Sequence, residues 1–425
     1  MSKSISYIFI LFLLPFIVLQ SQVFDGEWSC LYATEDDRGN GTGHNTISVA
    51  VLGEDEFVAL VNVNTNVGCY LIGYRDADSL LGRLNYYGYS SEVGALQLEW
   101  VAGFDLVQMT EANDIATAYD SLIFVPNNDD SHNILVFKLG IDSVYSHPWR
   151  LEVGTTDSLW AIDIDGNGRV FVTTQGDLSN PSKVILFDSP TNDASWESGH
   201  TTTPLHTITL PDNGLARGVT VNEDGTMFFV SNFDTKKIYR YDGNPTDGYT
   251  LNTIFNCEIA DTHIATVLGS DTLYPGPWGL QFLNGKNLLF VACDVSFQTG
   301  SGYEYGRIYT VDPNTGSVLD TIDAAMWNYI HCDSSYYRPG SADPGNASGY
   351  TSTYTLDFDE NDNIYTQSYF GWTIDKWQYS TTLPTIIIVG IEKEPSTTPL
   401  EFSLEQNYPN PFNPSTSIEF SIDKE

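Results

Sequence analysis

Arg217-Gly-Val-Thr-Val-Asn-Glu-Asp-Gly-Thr-Met-Phe-Phe-Val-Ser-Asn-Phe-Asp-Thr-Lys-Lys-Ile-Tyr-Arg-Tyr-Asp242 is one unit of a pattern that fills the middle of the chain. A short apolar strand runs into an acidic, glycine-containing turn. A second strand follows, and then a third rich in aromatics. Asp, Asn and Gly suit such a turn because they accept positive φ, and the flanking β-branched and aromatic residues favour strands. The pattern recurs at Trp160–Val172 with Lys183–Asp188, at Pro277–Phe282 with Asn287–Val291 and Arg307–Asp312, and at Tyr354–Tyr365 with Ile374–Tyr379. Weaker copies lie at Ile115–Val125 with Asn133–Phe137 and at Thr46–Val61 with Cys69–Tyr74.

The second strands end at Val61, Val125, Val172, Val230, Val291 and Thr366, an irregular step of about sixty residues. Repeats of that size, built from antiparallel strands, predict an all-β, six-bladed β-propeller. A seventh blade would need Val23–Ala33 together with Pro384–Ile391. The innermost strands are expected at Ala161–Ile164, Gly218–Val221, Gly279–Phe282 and Thr355–Phe358. The unit from Arg217 to Asp242 resembles the blades of NHL and surface-layer YVTN-type propellers. The resemblance extends over roughly residues 40–392 at the level of pattern. It implies a fold and no particular activity, because propellers host many unrelated functions.

Both ends of the chain carry addresses. Met1-Ser-Lys3 is a basic leader, and Ile8–Leu19 is an apolar run interrupted by Pro15 and followed by polar Gln20-Ser-Gln22. Such a run is short for a membrane span and predicts a secretory signal peptide over residues 1–21, cleaved after Ser21; a retained membrane anchor is the alternative. The tail contains Tyr408-Pro-Asn-Pro-Phe-Asn-Pro414, in which Pro409, Pro411 and Pro414 exclude helix and central strand, followed by the alternating Ser417–Ile422. This stretch resembles the start of the C-terminal sorting domain of type IX secretion cargo. The resemblance implies export through the periplasm of a Gram-negative bacterium, type IX secretion and sorting machinery as partner, and a secreted or cell-surface location. The family continues for several more strands, so residues 393–425 read as a linker with a truncated, partial sorting-domain tail, and residues 22–392 as the propeller. A Pro-rich linker without an addressing role is the plain alternative.

The chain has 425 residues, 55 of them acidic and 18 basic, for a net charge of −37, a surface that repels nucleic acid and anionic lipid. With 41% hydrophobic residues it nevertheless folds rather than remaining an acidic coil. Cys30, Cys69, Cys257, Cys293 and Cys332 show no zinc spacing; an exported chain has room for one or two disulfides, and the odd count leaves at least one cysteine unpaired.

Trp160, Arg217, Trp278 and Tyr354 occupy equivalent positions at the start of the inner strands, where a propeller rings one mouth of its channel. Three aromatics and a guanidinium there suit stacking on a sugar or organic ligand; packing between blades uses the same residue types. Asp163, Asp165 and Asn167, with Gly168 in sixth position, match the first half of a calcium loop, yet position twelve is Thr174 instead of Glu. Hairpin turns at Asn222–Gly225 and Asp359–Asp362 fall at the same place in their repeats, so a plain turn accounts for them as well.

Comparison with gluconolactonase-type hydrolases, which hold a divalent metal around the channel, draws attention to Asp114, Asp294 and Glu304, without an alignable triad. Asn232, Asp294 and Gln367 follow the second strands as a candidate polar cluster. The histidines (44, 132, 147, 200, 206, 263 and 331) are scattered, and no nucleophile elbow, zinc-protease motif or phosphate loop occurs. Insertions at Leu80–Val101 and Trp327–Thr353 are places where function could sit. The sequence thus points to a non-catalytic binding module for a glycan, peptide or protein partner. The alternatives are a metal-dependent lactonase and a structural surface protein.

Overall fold

The computed structural model describes residues 24–33, 44–63, 68–74, 111–118, 122–128, 132–139, 145–198, 203–266, 270–295, 304–331, 353–368, 373–388, 403–404 and 420–421. The signal-peptide segment, the insertion at 80–101 and most of that at 327–353 lie outside these residues.

In chain order, the strand β1 (Trp28–Ala33) precedes a three-stranded sheet of β2 (His44–Gly53), β3 (Glu56–Val63) and β4 (Gly68–Tyr74). Next comes a sheet of β5 (Ala116–Ala118), β6 (Leu122–Asn127), β7 (Asn133–Leu139) and β8 (Tyr145–Glu152). β9 (Leu159–Ile164), β10 (Val170–Thr174), β11 (Pro181–Phe187) and β12 (His206–Asn213) form another. The next is β13 (Ala216–Val221), β14 (Met227–Asn232), β15 (Lys237–Asn244) and β16 (Gly248–Leu251), with β17 (Cys257–Glu258) also pairing β15. A short hairpin of β18 (His263–Ile264) and β19 (Thr272–Leu273) leads to β20 (Gly276–Leu283), β21 (Leu288–Asp294), β22 (Arg307–Val311) and β23 (Val318–Asp323). β24 (Leu356–Phe358), β25 (Ile364–Ser368) and β26 (Thr373–Tyr379) complete the ring with β1 as their fourth strand. All pairings are antiparallel, and β2, β5, β9, β13, β20 and β24 touch one another in a closed cycle.

This is a β-propeller, with two corrections to the sequence reading. Among the described residues five sheets reach four or more strands rather than six, and the sheet of β2–β4 has three. Nor is there a seventh blade built on Val23–Ala33: β1 pairs with β26, from Trp28↔Tyr379 to Ala33↔Asp375, and residues 384–388 form no strand. The first strand thereby closes the ring onto the last blade.

The burial explains the sequence pattern. β6, β10, β13, β14, β21 and β25 are buried at every position, because both faces of an inner strand pack on neighbouring blades. Their apolar stretches, such as Leu122–Val125, Val170–Val172, Met227–Val230 and Leu288–Cys293, therefore show no alternation. The outer β12 alternates half-buried and exposed positions, with Leu210 alone fully buried. The hydrophobic clusters lie between sheets: Phe171 and Phe228 are 5.6 Å apart across one boundary, and Phe229 and Phe282 are 5.7 Å apart across the next. Among the described residues no helix is long and apolar enough to cross a membrane. Among the described residues Cys69, Cys257 and Cys293 are buried and form no disulfide; Cys332 lies outside the described residues.

The chain divides into units Met1–Ile386 and Ile387–Glu425. In the second, Ser403–Leu404 pairs antiparallel with Phe420–Ser421.

Candidate functional site at the channel mouth

Trp160, Arg217 and Trp278 lie in the first three positions of β9, β13 and β20, Tyr354 lies two residues before β24, and the fold brings the four together. The Trp278 and Tyr354 ring centroids are 4.3 Å apart, Trp160 and Trp278 are 6.0 Å apart, and Phe233 adds a wall 5.5 Å from Trp278. Arg217 Cζ lies 3.4 Å from the Trp160 ring centroid and 5.0 Å from that of Trp278. Glycine makes this convergence possible. A Cβ on Gly218 would lie 2.4 Å from the Trp278 carbonyl oxygen, and one on Gly279 would lie 2.6 Å from that of Tyr354. The Gly279 N–H donates to the Tyr354 carbonyl at 2.7 Å, and the Ser231 hydroxyl donates to the Trp278 carbonyl at 2.7 Å.

Contrary to the picture of rings open around a concavity, only Trp160 is half-buried; Trp278 and Tyr354 are 9% and 8% exposed. Arg217 is 9% exposed, and among the described residues its Nε and Nη1 have no hydrogen-bond partner, nor has the buried Trp278 Nε1. Burial pulls the Arg217 pKa down to about 10, partly offset by Asp234, whose carboxylate accepts the Leu215 N–H at 2.9 Å. The guanidinium therefore remains charged at neutral pH, in a desolvated setting with donors to spare.

Deeper along the axis lies a cavity of about 50 Å³, lined in part by Asp114, Asp163, Thr355 and Asp357. Each of its carboxylates stitches its own strand to the next blade. Asp114 accepts the Ile162 N–H at 3.1 Å, Asp163 accepts that of Val221 at 2.8 Å, and Asp357 accepts that of Val51 at 2.6 Å. The Thr220 hydroxyl does the same for the Phe282 N–H at 3.0 Å. Burial lifts Asp114 and Asp357 to about 7 and Asp163 to about 6; the backbone donors only partly oppose the rise. Asp357 escaped notice in the sequence as a channel residue. Its signal was present, because Leu356-Asp-Phe358 repeats the register of Ile162-Asp-Ile164.

The other candidates resolve into structural roles. Asp165 Oδ1 accepts the N–H groups of Asn167 and Arg169, and its Oδ2 takes the Arg169 guanidinium at 2.5 Å. Gly168, Gly225 and Asp362 all adopt positive φ, and each donates back three residues to Asp165, Asn222 and Asp359 respectively. The calcium-like run of Asp163, Asp165 and Asn167 is thus one copy of the recurrent blade turn, with Asp163 committed to the axis. Asn232 accepts the Thr235 N–H, Asp294 accepts those of Val295 and Thr353, and Gln367 accepts that of Tyr354, so each fixes local backbone. Glu304 accepts the Thr266 N–H and lies 3.8 Å from His263.

Among the described residues, no group of three or more His, Cys, Asp or Glu is placed to hold a metal ion, so Asp114, Asp294 and Glu304 do not form the lactonase-like centre. His132 bonds Asn128 and His206 bonds the Pro245 carbonyl. The side chains of His44, His147 and His331, and all of His200, lie outside the described residues.

No protein-family model and no curated protein matches the chain. Solved structures do match. A protein of unknown function from Bacteroides thetaiotaomicron aligns at TM-score 0.50 and 9% identity, over 83% of this chain and 76% of that one. The WD40 propeller domain of Doa1 aligns at TM-score 0.46 and 9% identity, over 83% and 97%. A luciferin-regenerating enzyme aligns at TM-score 0.46 and 12% identity, over 85% and 100%. At such identities the likeness concerns the fold alone.

Proposed function

We propose that the chain is an exported, extracellular or cell-surface β-propeller that acts as a binding module. Its ligand, a glycan, peptide or protein segment, docks at the mouth formed by Trp160, Arg217, Trp278 and Tyr354. The observation that carries the reading is the buried Arg217, which stacks 3.4 Å from the Trp160 ring and has two nitrogens without acceptors among the described residues. A propeller that needed only to seal its axis would achieve this with aromatics, without the cost of desolvating a cation. The half-buried Trp160 offers an incoming ligand a ring to stack on.

The test is a glycan and peptide array probed with the secreted chain and its Trp160→Ala variant. The reading expects discrete hits that the variant loses while its circular dichroism and melting temperature stay near wild type. Hits of equal strength for both proteins would place the ligand elsewhere. Export and type IX sorting are part of the proposal, supported by the leader and by the Tyr408–Pro414 motif. Mass spectrometry of secreted protein should find an N-terminus near Gln22; an intact chain starting at Met1 inside the cell would contradict it.

A hydrolase is the second reading, favoured by Asp114, Asp163 and Asp357, whose pKa values near neutrality suit proton transfer. Their cavity of about 50 Å³ holds a water or two but not a sugar lactone, which ranks this reading below binding.

A further inference from the structure

The mouth contains a set of polar atoms that ask for one kind of partner. Arg217 Nε, Arg217 Nη1 and Trp278 Nε1 are all donors, all buried, and all without an acceptor among the described residues. Next to Tyr354, on the floor below, the Thr355 hydroxyl lines the axial cavity and is also buried without a partner. Among the described residues Arg217 makes no ion pair; its nearest influence of opposite sign is Asp234, already engaged by the Leu215 N–H. Buried donors left unpaired are rare in folded proteins and expensive, and a desolvated cation without a counter-charge is more so.

Resting on the reading of the mouth as a binding site, we propose that the ligand presents a carboxylate to Arg217 and that this charge is the main determinant of specificity. A carboxylate brings acceptors and no donor, matching the donor-only set. Its charge offsets the guanidinium in surroundings where such pairs are strong. The aromatic walls accept the apolar face of whatever carries the acid. Trp160, the one half-buried member, covers the guanidinium from one side, with the Arg217 Cζ 3.4 Å from its ring centroid. The chain as a whole is strongly acidic, with net charge −37, which makes a buried, uncompensated arginine more conspicuous and tells against non-specific anion attraction.

The acid could belong to an acidic sugar or to a small free carboxylate, and the experiment separates the two. Calorimetry on the secreted chain would use glucuronate, glucose as its neutral counterpart, and acetate as competitor. The proposal expects glucuronate to bind at least about tenfold more tightly than glucose, with Arg217→Lys reducing that preference. Competition by acetate would support a free carboxylate as sufficient, and glucuronate binding without such competition would support a sugar acid. Equal binding of glucuronate and glucose would overturn the carboxylate proposal while leaving the mouth as a neutral-ligand site. Absence of binding by both acids would also overturn it, and the array comparison of wild type with Trp160→Ala would then decide the mouth reading on its own. Because wild type alone discriminates acid from neutral probe, the result does not depend on a variant that folds.

Discussion

Acidification should stabilise this propeller, and the axial carboxyls give the size of the effect. In the folded chain Asp114 and Asp357 titrate near 7 and Asp163 near 6, against 3.8 when exposed. Folded pKa values above the unfolded ones mean that the native state binds protons the unfolded chain does not. The stabilisation is therefore complete below the unfolded value and is lost as pH rises through about 6 to 7. Each carboxyl contributes up to about 1.4 kcal/mol per pH unit within its window, which for Asp357 totals on the order of 4 kcal/mol. The three repel one another and titrate as a set, so the sum falls short of three independent contributions. Asp212, held low by Tyr239 and Lys237, has the opposite sign, but its window lies below its ordinary 3.8 and outside the range measured. Urea unfolding followed by tryptophan fluorescence, from about pH 8 to about pH 5, should show unfolding free energy rising as pH falls. Relief of general charge repulsion acts in the same direction, so Asp357→Asn supplies the control and its slope should be shallower by one carboxyl's share. A wild-type stability that is flat or falls towards pH 5, or an unchanged slope in the variant, would refute the reasoning.

Three further outcomes follow from the packing. Trp278→Ala removes a ring that is 9% exposed and in contact with Tyr354, Trp160 and Phe233; it should cost about 3–5 kcal/mol in urea unfolding. A loss under about 1 kcal/mol would mean that the ring does not seal the mouth. Gly279→Ala drives a Cβ to 2.6 Å from the Tyr354 carbonyl and 2.9 Å from Thr355 Cα, both backbone, so about 1–3 kcal/mol should be lost and tryptophan fluorescence should shift. Lys376→Met leaves Asp55 and the fully buried Asp359 without their shared cation at the seam where β1 closes the ring. It should cost about 3–5 kcal/mol and raise amide exchange across Trp28–Ala33 first.

The parts of this fold that were legible in the sequence are those set by local chemistry. The Asn222–Gly225 turn and the apolar runs at Met227–Asn232 and Leu288–Asp294 announce themselves because turn φ angles and two-sided burial restrict residue type. The mouth was legible for the same reason: register alone places Trp160, Arg217, Trp278 and Tyr354 at one level. Closure was not, because Trp28↔Tyr379 joins residues from opposite ends of the chain and β1 carries no mark of its partner. The turn at Asp163–Gly168 reads two ways in sequence because an aspartate capping backbone N–H groups and an aspartate ligating a cation need the same spacing. Nor could sequence show that Arg217 would lack acceptors, since that depends on what the neighbouring blades fail to provide.

The central claim is that the mouth, with Arg217 at its centre, is the binding site. A crystal structure of the secreted chain with the strongest array ligand tests it most directly. The account predicts ligand density against the Trp160 ring, with an acceptor atom within about 3.2 Å of Arg217 Nε or Nη1. Ligand density on the outer strands or the opposite face of the propeller, with the Arg217 nitrogens still unpaired, would contradict it.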